Sequence, residues 1–300
     1  MNLIALFLGL FLERAATRLL HLREPRWLDP YFDRSLGWIE RSSGPVAIAL
    51  AVILVALPVI PIAWLQHAFG HVLFGVVYIA FAAFVLFFSL GPRDLGSEVE
   101  DYAAAVASGD AAQIERAAKI LTESDLPRET RVRDLAVEEA VLVQANNRIF
   151  GVLFWFVLLG PAGAWLYRVA DLMRRRAVFE AGRKAASGEG EPRCLQVVQS
   201  LYGVLAWVPA RLLALGYAMA GSFEEAVSDW KSYYESCSDK FFHVNDAILA
   251  AAGRGALQEE PAAPGESSLR PVRAAMALVR RTLLVWVTVI SLLTLAGQVA

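Results

Sequence analysis

The chain has 300 residues, 57% of them apolar and only 19% charged, with a mean hydropathy of +0.46. An ordinary soluble chain is roughly 45–50% apolar and about 25% charged, so this composition excludes a pair of soluble domains. A formal charge of −2 gives no basic field for nucleic acid, and two cysteines, Cys194 and Cys237, make neither a disulfide framework nor a zinc site.

In chain order, residues 1–12, MNLIALFLGLFL, form a short apolar helix that runs into Glu13 and Arg14. It resembles a signal-peptide core but lacks a basic leader, and it is read as a retained first helix. Residues 44–92 contain no Asp, Glu, Lys or Arg. A span needs about 20 apolar residues, because the hydrocarbon is about 30 Å thick and each helical residue rises about 1.5 Å. Residues 45–66 and 70–91 meet that length and form a hairpin, with Pro58 and Pro61 kinking the first span. His67 and His71 flank its turn as interfacial residues rather than a metal pair.

Residues 93–148 read as soluble helices. Asp110 and Gln113 form a capping-box variant ahead of Ile114, Ala117, Ala118 and Leu121, which share one helix face. A second helix over 129–147 places Val132, Leu135, Ala136, Ala140 and Val143 on its apolar side and Glu138 and Glu139 on a solvated one. Residues 149–170 are apolar but broken at Gly160-Pro161. A basic loop follows at 171–200, containing Arg174-Arg175-Arg176. Residues 201–221 carry Trp207, Pro209 and Arg211 at their centre, with Gly216 and Ala220 spaced for close helix contact. An aromatic-rich helical region at 223–252 precedes a linker over 255–270, and residues 282–299 form an uncharged final span.

The expected fold is therefore all-α, a polytopic membrane helix bundle of four to six crossings. It divides into 1–92, a polar insertion 93–148, broken or re-entrant membrane helices 149–221, a polar region 222–281, and the terminal span 282–300. Lys plus Arg number six in 13–43, seven in 93–148 and seven in 222–281. The positive-inside rule places these regions in the cytoplasm and the N-terminus outside. Six crossings then leave the six basic residues of 171–200 on the wrong side, which points to half-membrane elements at 149–170 or 201–221. Such backbone is allowed at membrane depth only where protein or a cavity shelters it.

No phosphate-binding loop, GxGxxG, GxSxG or HExxH occurs. The informative residues are ionisable or polar groups beside apolar helix: Arg211, the i,i+3 pair Arg168 and Asp171, Glu13 and Arg14, and Asn146-Asn147 ahead of Arg148. An arginine at mid-bilayer costs about 2.5–3.5 kcal/mol on the insertion scale, so each needs a partner, water, or a shallow position. Two readings compete. In one, these residues line a cytoplasm-facing pocket for an anionic small molecule, since guanidinium suits carboxylate and phosphate. In the other they are internal ion pairs that fix helix packing.

The motifs FLER at 11–14, NNRIFGVLFWFVLLGPAGAWLYR at 146–168, LAWVPARLLALGYA at 205–218 and LLTLAG at 292–297 together resemble the AmpE family over nearly the whole chain. That resemblance implies a multi-pass protein of the bacterial inner membrane, associated with the cell-wall-recycling amidase AmpD and with β-lactamase induction. It implies a regulatory modulator, for which no cofactor is expected; a further reading makes the chain an assembly partner that meets another inner-membrane or cytoplasmic regulatory protein through the aromatic region 223–242 or its lipid-facing helices. The layout is more distantly similar to the cobalamin-biosynthesis membrane enzymes of the CobD/CbiB group, which form an amide using Mg-ATP. That group's ETVAENTVDG corresponds to EEAVLVQANNRIFG here, where Glu139 and Asn146 survive. Its NTLDSM corresponds to VADLMRRR, with Asp171 near the Asn and an arginine in place of the Asp; its PAR triplet matches Pro209-Ala210-Arg211. Mg²⁺ demands hard oxygen ligands, and most of that group's carboxylates are missing.

Overall fold

A computed structural model describes residues 6, 8, 26–69, 75–90, 94–123, 129–188, 190–236, 241–257 and 269–296. The described residues are helical, with turns and no strand. Glu13, Arg14, His71 and Cys237 lie outside them. The chain forms two compact units: unit 1 comprises 1–92, 151–206 and 299–300, and unit 2 comprises 93–150 and 207–298.

In unit 1, α1 (Asp29–Arg41) has Pro30 in its first turn and buries Phe32, Ser35, Leu36 and Ile39. Two serines later the chain turns into α2 (Gly44–Ala56), a 3-10 turn (Leu57–Val59) and α3 (Ile60–Phe69). This run, Gly44–Phe69, is a candidate membrane span. The 3-10 turn sits where Pro61 has no N–H for the Leu57 carbonyl, which accepts from the Ile60 N–H instead. Val46, Ile48, Ile53 and Trp64 project outward from the run, as a lipid-facing surface requires. The second helix of the expected hairpin is described as α4 (Val76–Ser89), apolar but short for a span by itself.

Residues 149–170 do not make one crossing. The helix containing them ends with α8 (Gly151–Leu159), and the chain reverses at Gly160 into α9 (Pro161–Ala186). Gly160 has φ +71°, a conformation that favours glycine, and Pro161 pre-sets the first turn of α9. Gly163 allows the two helices to close, because any Cβ there would strike the Trp155 carbonyl. Residues 171–186, expected within a loop, continue α9. The Arg174-Arg175-Arg176 run is thus held on a rigid helix.

Helix α10 (Arg193–Ala220) is a second candidate span and passes from unit 1 into unit 2 after residue 206. Pro209 lies inside it without breaking it. On the unit 1 side, the Trp155 indole donates to the Leu205 carbonyl at 3.1 Å.

In unit 2, α5 (Leu95–Ser108) and α6 (Ala111–Thr122) lead to α7 (Thr130–Ala145), which continues through a π-helical turn at Asn146–Phe150. The run Thr130–Leu159 that this begins is another candidate span. Asp110 caps α6 as its spacing predicts: its side chain accepts from the Ala112 and Gln113 N–H groups at 2.9 and 3.3 Å, and from the Gln113 amide at 2.8 Å. Ile114, Ala118 and Leu121 form its buried face.

The orientation of α7 differs from the expectation. Val132 and Leu135 are exposed, while Asp134, Val137, Glu138, Val141 and Leu142 are buried. The buried face follows hydrogen-bond partners as well as hydropathy, since Asp134 accepts from the Tyr102 hydroxyl. Glu139 takes the solvated position and pairs with Arg254 at 3.0 Å.

Helices α11 (Phe223–Ser236) and α12 (Phe241–Leu257) pack as a pair before α13 (Leu269–Leu295). The helix that carries the final candidate span begins at Leu269, so Arg273, Arg280 and Arg281, expected just ahead of the span, lie within the helix. Val272, Ala275, Leu278 and Val279 on that early segment belong to the unit 2 core. Gly216 meets α13 closely: a Cβ there would sit 2.7 Å from Thr282 Cγ2, which matches the small-residue spacing in α10.

Candidate functional site

In unit 1 the polar side chains of α9 converge on one carboxylate. Positions 168, 171, 174 and 175 are three or four apart, so they share a face. The Asp171 Oδ2 atom accepts from Arg168 Nη1 at 3.0 Å and from Arg175 Nε at 2.9 Å, and its Oδ1 accepts from Arg174 Nη2 at 2.9 Å. Asp171 and Arg168 are sealed, at 0% and 1% exposure, while Arg174 and Arg175 keep 14% and 24%. The Arg174 guanidinium lies 5.0 Å from the centre of the Tyr202 ring, and the Tyr202 hydroxyl shares a 2.7 Å hydrogen bond with that of Tyr167. One turn on, Arg176 donates to both oxygens of Asp33 at 2.6 and 2.9 Å, tying α9 to α1. Three guanidiniums on one buried carboxylate make a rigid, anion-oriented cluster, because each can fork onto two oxygens.

The turn between α8 and α9 is satisfied by a side chain from α3. Gln66 Oε1 accepts from the Ala162 N–H at 2.9 Å, and Gln66 Nε2 donates to the Leu159 carbonyl at 3.1 Å. A single amide thus meets an orphan carbonyl of one helix and an orphan N–H of the next. The Trp165 indole donates to the Pro58 carbonyl at 3.1 Å, a further tie from α9 to the same span.

Unit 2 holds Asn146, Asn147, Trp207, Pro209 and Arg211. Asn146 and Asn147 are buried on the π-helical turn beside Arg148. Arg148 donates to Glu98 Oε2 at 2.5 Å and to Gln144 Oε1 at 3.1 Å. Such turns recur at functional sites, since the wider backbone loop re-aims side chains. Nearby in sequence, Tyr102 donates to Asp134 at 2.5 Å and receives Arg133 Nε at 3.4 Å. Burial, reinforced by Asp134, pushes the Tyr102 phenol up to about 12. Arg211 donates to Asn245 Oδ1 at 2.5 Å and to the Trp207 carbonyl at 3.0 Å, with its guanidinium 4.6 Å from the Trp207 ring centre.

The structure thus joins Arg168 to Asp171 in unit 1 and places Asn146, Asn147, Trp207, Pro209 and Arg211 in unit 2. Sequence reasoning missed Gln66, Glu98, Arg174, Arg175 and Asn245 as partners. Arg174 and Arg175 carried a usable signal, their i,i+3 and i,i+4 spacing from Asp171. Glu98 and Asn245 carried none, being 50 and 34 residues from the arginines they bind.

Among the described residues no three His, Cys, Asp or Glu side chains gather to hold a metal. Of the carboxylates nearest that group's motifs, Glu139 pairs with Arg254, and Asp171, which stands near the group's Asn, receives three arginines.

Comparison with known proteins gives a family and more distant kin. The chain is 29% identical over 233 residues to "Cobalamin biosynthesis protein CobD" of Stutzerimonas stutzeri, covering 77% of this chain and 70% of that protein. It is 30% identical over 179 residues to the protein of the same description from Chromobacterium violaceum, covering 58% and 52%. Against "Protein AmpE" of Shigella flexneri it is 25% identical over 316 residues, 99% of both chains. No solved structure matches. The family model described as "Regulatory signalling modulator protein AmpE" matches residues 1–300, and this multi-pass membrane protein belongs to the AmpE family.

Proposed function

We propose that the chain is a non-enzymatic sensor of the bacterial inner membrane that modulates β-lactamase induction in response to an anionic product of peptidoglycan recycling. The observation that carries this reading is the grip of Arg168, Arg174 and Arg175 on Asp171. A ligand carboxylate or phosphate competes with Asp171 for Arg174 and Arg175, which retain some exposure, while Arg168 stays enclosed. The ligand thereby exchanges one set of charge-assisted hydrogen bonds for another, a change that shifts a helix equilibrium without chemistry. Asn146, Asn147 and Arg211 in unit 2, with Glu13 and Arg14, are further candidates for ligand contact.

Charge and helix direction in unit 1 support an orientation. Gln66 meets Ala162, Pro58 meets Trp165, and Asp33 on α1 meets Arg176, so α9 runs antiparallel to the Gly44–Phe69 span. If the basic segment 13–43 is cytoplasmic, the hairpin returns Arg174, Arg175, Arg176, Arg183 and Lys184 to the cytoplasmic side. The positive-inside rule is then obeyed in unit 1 without exception. A partner protein on that side reads the state of α9.

The test is β-lactamase induction in a host lacking its own copy. Arg174→Gln with Arg175→Gln abolishes the response to inducer while the protein's membrane level is kept. Induction equal to the unmodified protein's places the anion-responsive element elsewhere. Hydrolysis of Mg-ATP in the presence of a corrinoid acid and an amine would instead favour the CobD-like reading.

A further inference from the structure

The outward face of α1 carries chemistry that the sensor reading does not use. Arg34, Trp38 and Arg41 lie at i, i+4 and i+7, one stripe on the helix side opposite buried Phe32, Leu36 and Ile39. All three are exposed, Trp38 at 47%. Among the described residues neither Arg34 nor Arg41 forms an ion pair, while the helix is held on its neighbours through other residues. Tyr31 donates to the Leu54 carbonyl at 2.5 Å, and Asp33 receives Arg176. The stripe is therefore presented by a helix fixed on its neighbours. It ends three residues before the uncharged candidate span Gly44–Phe69, on which Val46 and Ile48 are exposed.

We propose that Arg34, Trp38 and Arg41 form a headgroup site for an anionic phospholipid at the membrane interface beside unit 1. Indole rings settle at headgroup depth, where the apolar body meets acyl chain and the N–H meets water or phosphate. Guanidiniums on either side of such a ring clamp phosphate oxygens bidentately, which a zwitterionic surface rewards less because its choline opposes the arginine. Charge complementarity and the adjoining span together select lipid over a protein partner. The site depends on the membrane character of the chain and not on the sensor reading, so either can fail alone.

The test uses the full chain in vesicles containing acyl-chain-brominated phosphatidylglycerol or brominated phosphatidylcholine at equal mole fraction. The Trp38 signal is the difference between the unmodified protein and Trp38→Phe. Near an anionic surface each arginine is worth roughly a fivefold preference. Quenching of Trp38 therefore favours the brominated phosphatidylglycerol severalfold, and Arg34→Gln with Arg41→Gln reduces it to the phosphatidylcholine level. A salt series on the unmodified protein reads the same preference without substitution, because at about 1 M the screening length is about 3 Å. Equal quenching by both lipids, or a preference that survives both the substitutions and salt, overturns the site. No quenching by either lipid shows the face covered by protein or standing in water, and overturns it as well.

Discussion

Asp171→Asn is the most informative single change, because it alters charge and almost nothing in volume. Asp171 is fully enclosed and receives hydrogen bonds at 2.9–3.0 Å from three arginines. An amide can accept through one oxygen only, and its NH₂ group turns donor against donor. Arg174 and Arg175, partly exposed, can turn their charge to solvent, whereas Arg168 at 1% exposure cannot. Removing one partner of a buried ion pair costs about 3–5 kcal/mol. For a body of about 150–250 residues each kcal/mol lowers the melting temperature by about 2–4 °C, so Asp171→Asn lowers it by roughly 6–20 °C. The assay is thermal unfolding of the detergent-purified protein, with quantified membrane level as a second readout. Arg183→Gln serves as the control: its pair with Glu180 is largely solvated, at 69% exposure on the arginine, and surface pairs contribute little. Adding Arg168→Met to Asp171→Asn recovers part of the loss, since an apolar side chain of similar length needs no counter-charge. A shift for Asp171→Asn no larger than the control's would refute the buried-cluster argument.

Other outcomes follow from the same geometry. Gln66→Leu strips two hydrogen bonds from the Gly160 turn and costs about 1–3 kcal/mol, read as a lower melting temperature. Ser187→Cys, at the end of α9, is labelled by a membrane-impermeant thiol reagent from the cytoplasmic face; labelling from the periplasm would reverse the orientation proposed for unit 1. Arg211→Ala and Asn245→Ala are non-additive, with a coupling of about 0.5–3 kcal/mol in a double-mutant cycle, because the two side chains bond directly. Arg211→Ala that lost regulation at full membrane level would mark Arg211 as a ligand contact rather than a packing residue. Tyr102 has its folded-state phenol raised above its ordinary value of 10.0 to about 12, so its contribution to stability is complete below pH 10 and is lost as the pH climbs toward 12. Tyr102→Phe removes that alkaline component from a plot of stability against pH.

The membrane character, the helical class and the family were legible without coordinates. Long uncharged runs such as 44–69 admit no other solvent than lipid, and in lipid a backbone of this length pairs with itself only as helix. Local chemistry was legible as well: Asp110 caps α6, and Arg168 pairs with Asp171, because both interactions span three residues and need only helical geometry. Tertiary structure alone decided the rest. Gly160-Pro161 reads equally as a kink within one crossing or as a reversal, and it becomes a reversal because Gln66, 93 residues away from Leu159, meets the exposed backbone groups. The face of α7 rotates away from its hydropathy pattern because Asp134 and its partner Tyr102 satisfy each other inside. Arg148 and Arg211 take their partners from Glu98 and Asn245 on separate helices. A buried charge costs several kcal/mol wherever it lies along the chain, so composition announces that it must be compensated; which residue compensates it depends on how distant helices pack, and no spacing in the chain encodes that.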